Sequence, residues 1–294
     1  MKVGLLVNVN NFTVDPGTLG AAVEEAGFDS LWVGDHPIIP YNPKTPMPSG
    51  GDIPDAYAHL SDPFVALAMA ANSTSTLRLG TGIVLLPTRA PMITALQAAT
   101  LDHFSDGRLE LGIGAGWLQD QIEILGGDFP NRLAQTKEYV AAMRALWAEP
   151  EEAFEGKWIS FPKVKLNPRS TRKGGPRIHL GTWGGKAPIR VANWGDGWLP
   201  MLVSPGELAE AKKLMVEQCE KIGRDPAEVE ISVFEYDKPD REQAQEMLGQ
   251  YAEAGADRVV AIQGLGDEMG SNEGVAWAPQ TFREQLAVAK ERYL

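Results

Sequence analysis

Two adjacent polar residues, Asp35 and His36, follow the apolar run Leu31-Trp32-Val33 with only Gly34 between. A parallel barrel gathers its catalytic groups at the C-terminal ends of its strands, so a polar pair in that position is a candidate site. An imidazole there can exchange a proton near neutral pH. Asp35 would orient that ring or contact a cofactor. A turn-capping aspartate beside a half-exposed loop histidine fits the same position. The chain has four histidines in all. His103 precedes a strand and so falls on the face that serves stability. His179 lies inside a strand as a core residue, and His59 ends a proline-rich loop from which it could approach a substrate. No HxH or HExxH spacing occurs, so no metal site is expected. The single cysteine, Cys219, lies in a polar helical pattern and allows neither an intrachain disulfide nor a Cys-based zinc site.

Three glycine-rich stretches could bring backbone close to a ligand. Gly80-Thr81-Gly82-Ile83 puts two glycines into an otherwise apolar strand, the mark of a bulge or a close backbone approach. Gly112-Ile113-Gly114-Ala115-Gly116-Trp117 ends another strand. Its spacing is G-x-G-x-G and it comes late in the chain, which does not suit a dinucleotide-binding Rossmann unit, while a plain glycine turn also fits. Gly181-Thr182-Trp183-Gly184-Gly185-Lys186 leads into a helix, where free amides and Lys186 would cradle a phosphate. Ala187 follows the lysine, so this is not a Walker A loop. The loop after the last strand carries Asp267, Glu268 and Glu273 and would repel an anion. Trp117 and Trp183 could wall a planar ring or simply pack.

The elements that position these residues alternate regularly. Apolar runs of strand length occur at Val3–Val7, Ser30–Val33, Leu77–Ile83, Arg108–Ile113, Arg177–Leu180, Trp198–Pro200, Glu230–Phe234 and Arg258–Ile262. Amphipathic segments lie between them. Asp15-Pro16 and Ser61-Asp62-Pro63 read as helix starts, Ser204-Pro205-Gly206-Glu207 as a capping box, and Gly27 and Gly255 as left-handed C-caps. Arg132–Trp147 reads as a long helix. Near-continuous apolar strands and an unbroken strand–helix alternation predict one domain over residues 1–294, a closed (β/α)8 TIM barrel with insertion loops. An open doubly wound sheet is the competing arrangement. Three long interruptions, Pro37–Leu60, Phe154–Pro176 and Gly264–Pro279, break the alternation. The first and third follow strands and so fall on the active-site face.

Composition bounds the partners. Hydrophobic residues make up 44% of the 294 residues and charged ones 22%, which allows a large core. The formal net charge of −12 argues against nucleic acid or an anionic membrane as partner and leaves room for a small anionic cofactor. No apolar run approaches the ~18 residues of a membrane span, and the N-terminal run is too short for a signal peptide, so a cytoplasmic location is expected.

The stretch Leu77–Leu118 carries a resemblance. Leu77-Arg78-Leu79-Gly80-Thr81-Gly82-Ile83-Val84-Leu85-Leu86-Pro87-Thr88-Arg89-Ala90-Pro91, Gln97-Ala98-Ala99-Thr100-Leu101-Asp102, Ser105-Asp106-Gly107-Arg108-Leu109 and Leu111-Gly112-Ile113-Gly114-Ala115-Gly116-Trp117 resemble the bacterial luciferase-like monooxygenase superfamily. Within it the chain is most similar to the coenzyme F420-dependent oxidoreductases. The resemblance implies a βα barrel with the cofactor ring over the C-terminal strand ends. It implies a bulge with a non-prolyl cis peptide at Gly82-Ile83 backing that ring. It implies functional roles for Asp35 and His36, and cofactor tail or phosphate contacts at Gly114, Gly116, Gly184 and Gly185, with Trp183 and Lys186 beside them. The pattern departs at Trp117, where some deazaflavin enzymes carry a glutamate acting on a sugar, which argues against sugar-phosphate oxidation. The expected activity is hydride transfer between an organic small-molecule substrate and F420. The alternatives are an FMN-dependent monooxygenase on the same barrel and a non-catalytic flavin- or deazaflavin-binding protein. A homodimer is compatible with the resemblance.

Overall fold

A computed structural model describes residues 1–48, 50–263 and 277–294. Eight parallel strands close a barrel. They are β1 (Lys2–Val7), β2 (Ser30–Val33), β3 (Arg78–Thr81), β5 (Leu109–Gly114), β8 (Arg177–Leu180), β9 (Gly197–Trp198), β10 (Glu230–Tyr236) and β11 (Arg258–Gln263). Each pairs with the next in parallel, and β1 pairs with β11 to complete the ring. Closure leaves no open sheet edge and excludes the doubly wound alternative.

The helices fill the crossovers. α1 (Pro16–Ala26) is capped by the Asp15 side chain on the Thr18 amide and stops at Gly27 in the left-handed region. α2 (Pro63–Asn72) is capped by Asp62. α3 (Pro91–Phe104) starts on Pro91 in its first turn without a side-chain cap, because Ala90 at its N-cap makes no side-chain bond. α4 (Gln119–Ile124), α5 (Arg132–Trp147), α6 (Ala187–Trp194), α7 (Pro205–Lys221), α8 (Arg241–Glu253) and α9 (Phe282–Tyr293) follow. The expected capping box is present at the start of α7, with Ser204 and Glu207 bonding reciprocally.

Strand three is not one continuous run. β3 ends at Thr81, and β4 (Val84–Leu85) resumes beyond the Gly82-Ile83 peptide, which is cis. Gly80 pairs with Glu110 but Val84 pairs with Ile113, so the strand-three side holds one extra residue. That is the bulge the two glycines indicated.

The segment Phe154–Pro176 lies along α5 and the end of α3. It forms a small hairpin of β6 (Phe154–Glu155) and β7 (Ser160–Phe161). Glu138 of α5 accepts from the amides of Lys157, Trp158 and Ile159, and Asp102 of α3 accepts from Ser170 and Thr171. The loop is therefore pinned against helices rather than crossing the barrel mouth. Of Gly264–Pro279, residues 264–276, with Asp267, Glu268 and Glu273, lie outside the described residues.

The barrel interior is layered. In β2, β10 and β11 the charged or polar inward residues come first and the apolar ones after. Glu110, His179, Ser232 and Arg258 form a buried polar layer, and Leu6, Trp32, Leu199, Phe234, Val260 and Ile262 form an apolar layer above it. The outward faces of the strands pack with the helices in the main core.

Candidate active site

Successive strand side chains point to opposite faces, and that alternation sorts the candidate pair. Ser30 and Trp32 face the barrel interior, joined by the Trp32 Nε1–H donating to Ser30 Oγ at 2.9 Å. Leu31 and Val33 face the helices. Carried on past the strand end, the same rhythm sends Asp35 outward and His36 inward. Asp35 is 5% exposed, and its carboxylate accepts from Arg89 Nη2–H at 2.7 Å, Arg89 Nε–H at 3.1 Å and the Leu85 amide at 3.0 Å. Arg89 also donates to Asp62 at 2.9 Å. Burial opposes the charge on this guanidinium, but Asp35 and Asp62 outweigh it and raise its pKa. The expectation that Asp35 orients the His36 ring is corrected, because both carboxylate oxygens are spent on Arg89 and the Leu85 amide. What Asp35 holds is β4, just beyond the bulge. Asp35→Asn keeps the shape but breaks the charge pairing. A loss of about 1.5–3 kcal/mol in urea-denaturation stability is expected, and an unchanged midpoint would refute the brace.

His36 is partly buried, and the side chain that meets its ring is Gln121 of α4. His36 Nδ1 lies 3.3 Å from Gln121 Oε1. The imidazole stacks on Tyr57 with centroids 4.8 Å apart and planes at 15°, and meets Trp117 edge-on at 6.1 Å. Burial lowers the His36 pKa below its ordinary value, and the Gln121 bond and the Asp35 charge restore only part of it. Burial raises the Tyr57 phenol, helped by Tyr236 at the end of β10. Tyr57 comes from the proline-rich loop, which is clasped to α4. Asp120 accepts from the amides of Lys44 and Thr45, both at 3.1 Å, and from the Thr45 hydroxyl at 2.7 Å.

The glycines divide into two kinds. A Cβ on Gly114 would lie 2.1 Å from Ile83 Cδ1, and one on Gly181 2.8 Å from the same atom. Gly114 thus makes room for Ile83, which packs on the apolar layer of Leu6, Trp32, Leu199 and Phe234. Gly82 is likewise enclosed, by Leu6 and Phe234. Gly116 accepts from Arg132 Nε at 3.1 Å through its carbonyl. Gly184 and Gly185, by contrast, meet nothing within 4 Å, and Gly184 has a φ of +79°, where a side chain is disfavoured. Trp183 beside them is 61% exposed, and Lys186 is exposed as the N-cap of α6. The Ala187 amide is spent on the Gly184 carbonyl at 2.8 Å and Pro188 has no N–H, so the free amides sit in the turn itself. Arg190 folds back from α6 to donate to Thr182 Oγ1 at 3.2 Å, adding a second basic group.

The remaining candidates stay apart. His103 Nδ1 lies 3.0 Å from the Arg169 carbonyl, and His59 pairs with Asn11 and Asp55. His179 is fully buried and bonds Glu110 through Nε2 at 2.6 Å. Cys219 is buried within α7, its thiol pushed up by burial. Among the described residues no group of three metal-ligating side chains occurs, and no helix is long and apolar enough to cross a membrane. Sequence reasoning passed over Arg89, Gln121, Tyr57 and Arg190. Arg89 stood inside the resembling block without a role, and a lone glutamine gave no signal.

The geometry has clear relatives. An uncharacterized protein of Mycobacterium tuberculosis is 29% identical over 266 residues, 88% of this chain and 91% of that one. A 5,10-methylenetetrahydromethanopterin reductase of Methanolobus tindarius is 29% identical over 211 residues, 72% of this chain and 57% of the reductase. The solved structure of an F420-dependent secondary alcohol dehydrogenase in complex with an F420-acetone adduct superposes with a TM-score of 0.76 at 18% identity, over 99% of this chain and 97% of that one. The family model described as luciferase-like monooxygenase matches residues 17–292. With that match spanning nearly the whole barrel, the chain belongs to the luciferase-like monooxygenase family of oxidoreductases.

Proposed function

We propose that this chain is an oxidoreductase that passes a hydride between an organic substrate and coenzyme F420 held over the C-terminal strand ends. The observation that carries the reading is the placing of His36 just past the C-terminal end of β2, its imidazole held by Gln121, Tyr57 and Trp117 and its pKa lowered by burial. The residues suit such a group. Ile83 and its neighbours offer an apolar surface against a planar ring, and Gly82 lets the chain approach it. Gly184, Gly185, Lys186 and Arg190 would hold an anionic tail, with Trp183 beside it and Gly116 past the end of β5, while Gly114 acts indirectly by seating Ile83. When bound, a deazaflavin supplies the hydride chemistry. The protein orients it, excludes water and handles the proton through His36, while Asp35 acts at one remove through Arg89 and β4.

Titration of the apo-protein with F420 and with FMN, followed by fluorescence, tests the cofactor. Binding of F420 with FMN at least ~10-fold weaker is expected. Tight binding of FMN alone would move the assignment to a flavin monooxygenase, and tight binding without turnover of any substrate would make it a carrier.

We further infer that a second copy of this chain covers α2 and α3. Charged residues are absent from α2, and the one in α3, Asp102, is 2% exposed. Both helices nevertheless present apolar side chains to solvent, with Val65 at 61% and Ile93 at 57% exposure. In a chain of net charge −12, an uncharged apolar face suits a two-fold contact with itself. Sedimentation should give a dimer that Val65→Lys/Ile93→Lys converts to monomer. A monomeric wild-type chain at tens of micromolar would reject this.

A further inference from the structure

Gln121 is fully buried on a six-residue helix that follows β5, and both ends of its amide are spoken for. Its Nε2 donates to the carbonyl of Ile38, which follows His36 by two residues. A backbone carbonyl can only accept, so the nitrogen of the amide must face Ile38. The oxygen is thereby forced toward His36 Nδ1, at 3.3 Å. An amide oxygen also only accepts, and the nitrogen opposite it must then carry the hydrogen. The remaining ring nitrogen, Nε2, has no protein partner among the described residues, and its lone pair is open.

We propose that Gln121 is a positioning residue that fixes His36 as the Nδ1–H tautomer, so that in the resting protein Nε2 takes a proton from the substrate rather than giving one. The inference rests on the reading of His36 as the proton-handling group. In the step itself the substrate X–H bond breaks, its electron pair stays on X, and the proton bonds to the Nε2 lone pair. The imidazole becomes a cation, with its Nδ1–H still held by the Gln121 oxygen. Neutral histidine in water favours the opposite tautomer, with the hydrogen on Nε2, so a protein that wants Nε2 as a base has to impose this arrangement. The fork from Gln121 to Ile38 and His36 also fixes the ring plane, which the Tyr57 stack and the Trp117 edge contact hold from the sides. A glutamine does this without adding charge, whereas a carboxylate in its place would favour the imidazolium and close the lone pair.

The test needs no cofactor and no substrate. In 15N-labelled full-length protein, long-range 1H–15N correlation of the imidazoles separates protonated from unprotonated ring nitrogens. With four histidines the spectrum is small, and His36→Gln assigns the signal. At a pH where His36 is neutral, the Nδ1–H form should be the major one, because losing the Gln121 bond would leave a buried amide oxygen unpaired, a cost that outweighs the preference seen in water. In Gln121→Leu, similar in shape, the ratio should invert. Gln121→Glu should restore the Nδ1–H pattern and raise the His36 pKa. A wild-type spectrum dominated by Nε2–H overturns the proposal outright, even if the leucine variant fails to fold. Retention of Nδ1–H in a folded Gln121→Leu overturns the role of Gln121. Neither result depends on which cofactor binds, so this inference and the F420 assignment fail separately.

Discussion

His36→Ala is expected to lower turnover by about 10²–10⁴-fold, the usual range for loss of a positioned acid–base group, while leaving the melting midpoint within a few degrees. Only partly buried, and packed by Tyr57 and Trp117 at the rim rather than in the core, the ring contributes little to the barrel. The pH profile provides a second signature. Burial depresses the imidazole pKa, with Gln121 and Asp35 pulling partly the other way, so the unprotonated form prevails at pH 7 and is lost only below the ordinary value of 6.5. If that form is the active one, the rate falls as pH drops through the depressed pKa, and this acid limb disappears in the alanine variant. Steady-state assay with F420 across pH 4.5–8 checks both effects. A variant that keeps more than a tenth of the wild-type rate with the same limb would remove His36 from the chemistry.

The line between what was legible beforehand and what was not runs through this same pair of residues. Strand period and glycine position are local properties, so the eight strands, the caps at Asp15 and Ser204, and the bulge at Gly82-Ile83 could be read from one sequence. So could the placing of His36 at a strand end. The roles of its neighbours could not, because they depend on contacts far apart in the chain. Asp35 meets Arg89 across 54 residues and His36 meets Gln121 across 85. Two adjacent letters suggested a dyad, yet a strand end turns adjacent residues to opposite sides. Gly114 shows the same limit. A missing side chain at a strand mouth signals that something approaches closely, but not whether it is a ligand or, as here, Ile83 of the neighbouring strand. The start of α3 is weakly marked in the sequence, by Pro91 alone, because Ala90 offers no side-chain cap.

Glu110→Ala is expected to cost about 3–5 kcal/mol, because removing one member of a buried pair strands the other. Glu110 is 2% exposed and its partner His179 is wholly buried. His179 Nδ1 already has no partner among the described residues, so truncation at Glu110 would leave both ring nitrogens unsatisfied. Arg78, 3.4 Å from Glu110, would lose a counter-charge, whereas Arg258 would keep Asp29 at 2.6 Å and also Glu230. Burial alone would raise the Glu110 pKa. The His179 hydrogen bond, with the charges of His179, Arg258 and Arg78, overcomes it and holds the carboxyl at about 2 against an ordinary 4.5. A folded-state pKa below the unfolded one means that the unfolded chain binds the extra proton on acidification. The carboxylate therefore stabilises the fold fully above pH 4.5, and this contribution drains away as pH falls from 4.5 toward 2. Chemical denaturation at pH 7 should show the full loss for Glu110→Ala, and the gap between variant and wild type should narrow on acidification. The double variant Glu110→Leu/His179→Leu should be less damaged than the single alanine, since it leaves no buried imidazole stranded and Arg78 can turn to solvent. A single variant within 1 kcal/mol of wild type at pH 7 would show that water reaches this layer. The consequence extends to the site. Trp32 lies edge-on to His179 at 6.1 Å and to Phe234 at 5.3 Å, and both aromatic side chains belong to the apolar layer that carries Ile83. A barrel loosened at Glu110 should therefore bind cofactor more weakly even though Glu110 never touches it, and fluorescence titration of a folded Glu110→Gln variant would register that coupling.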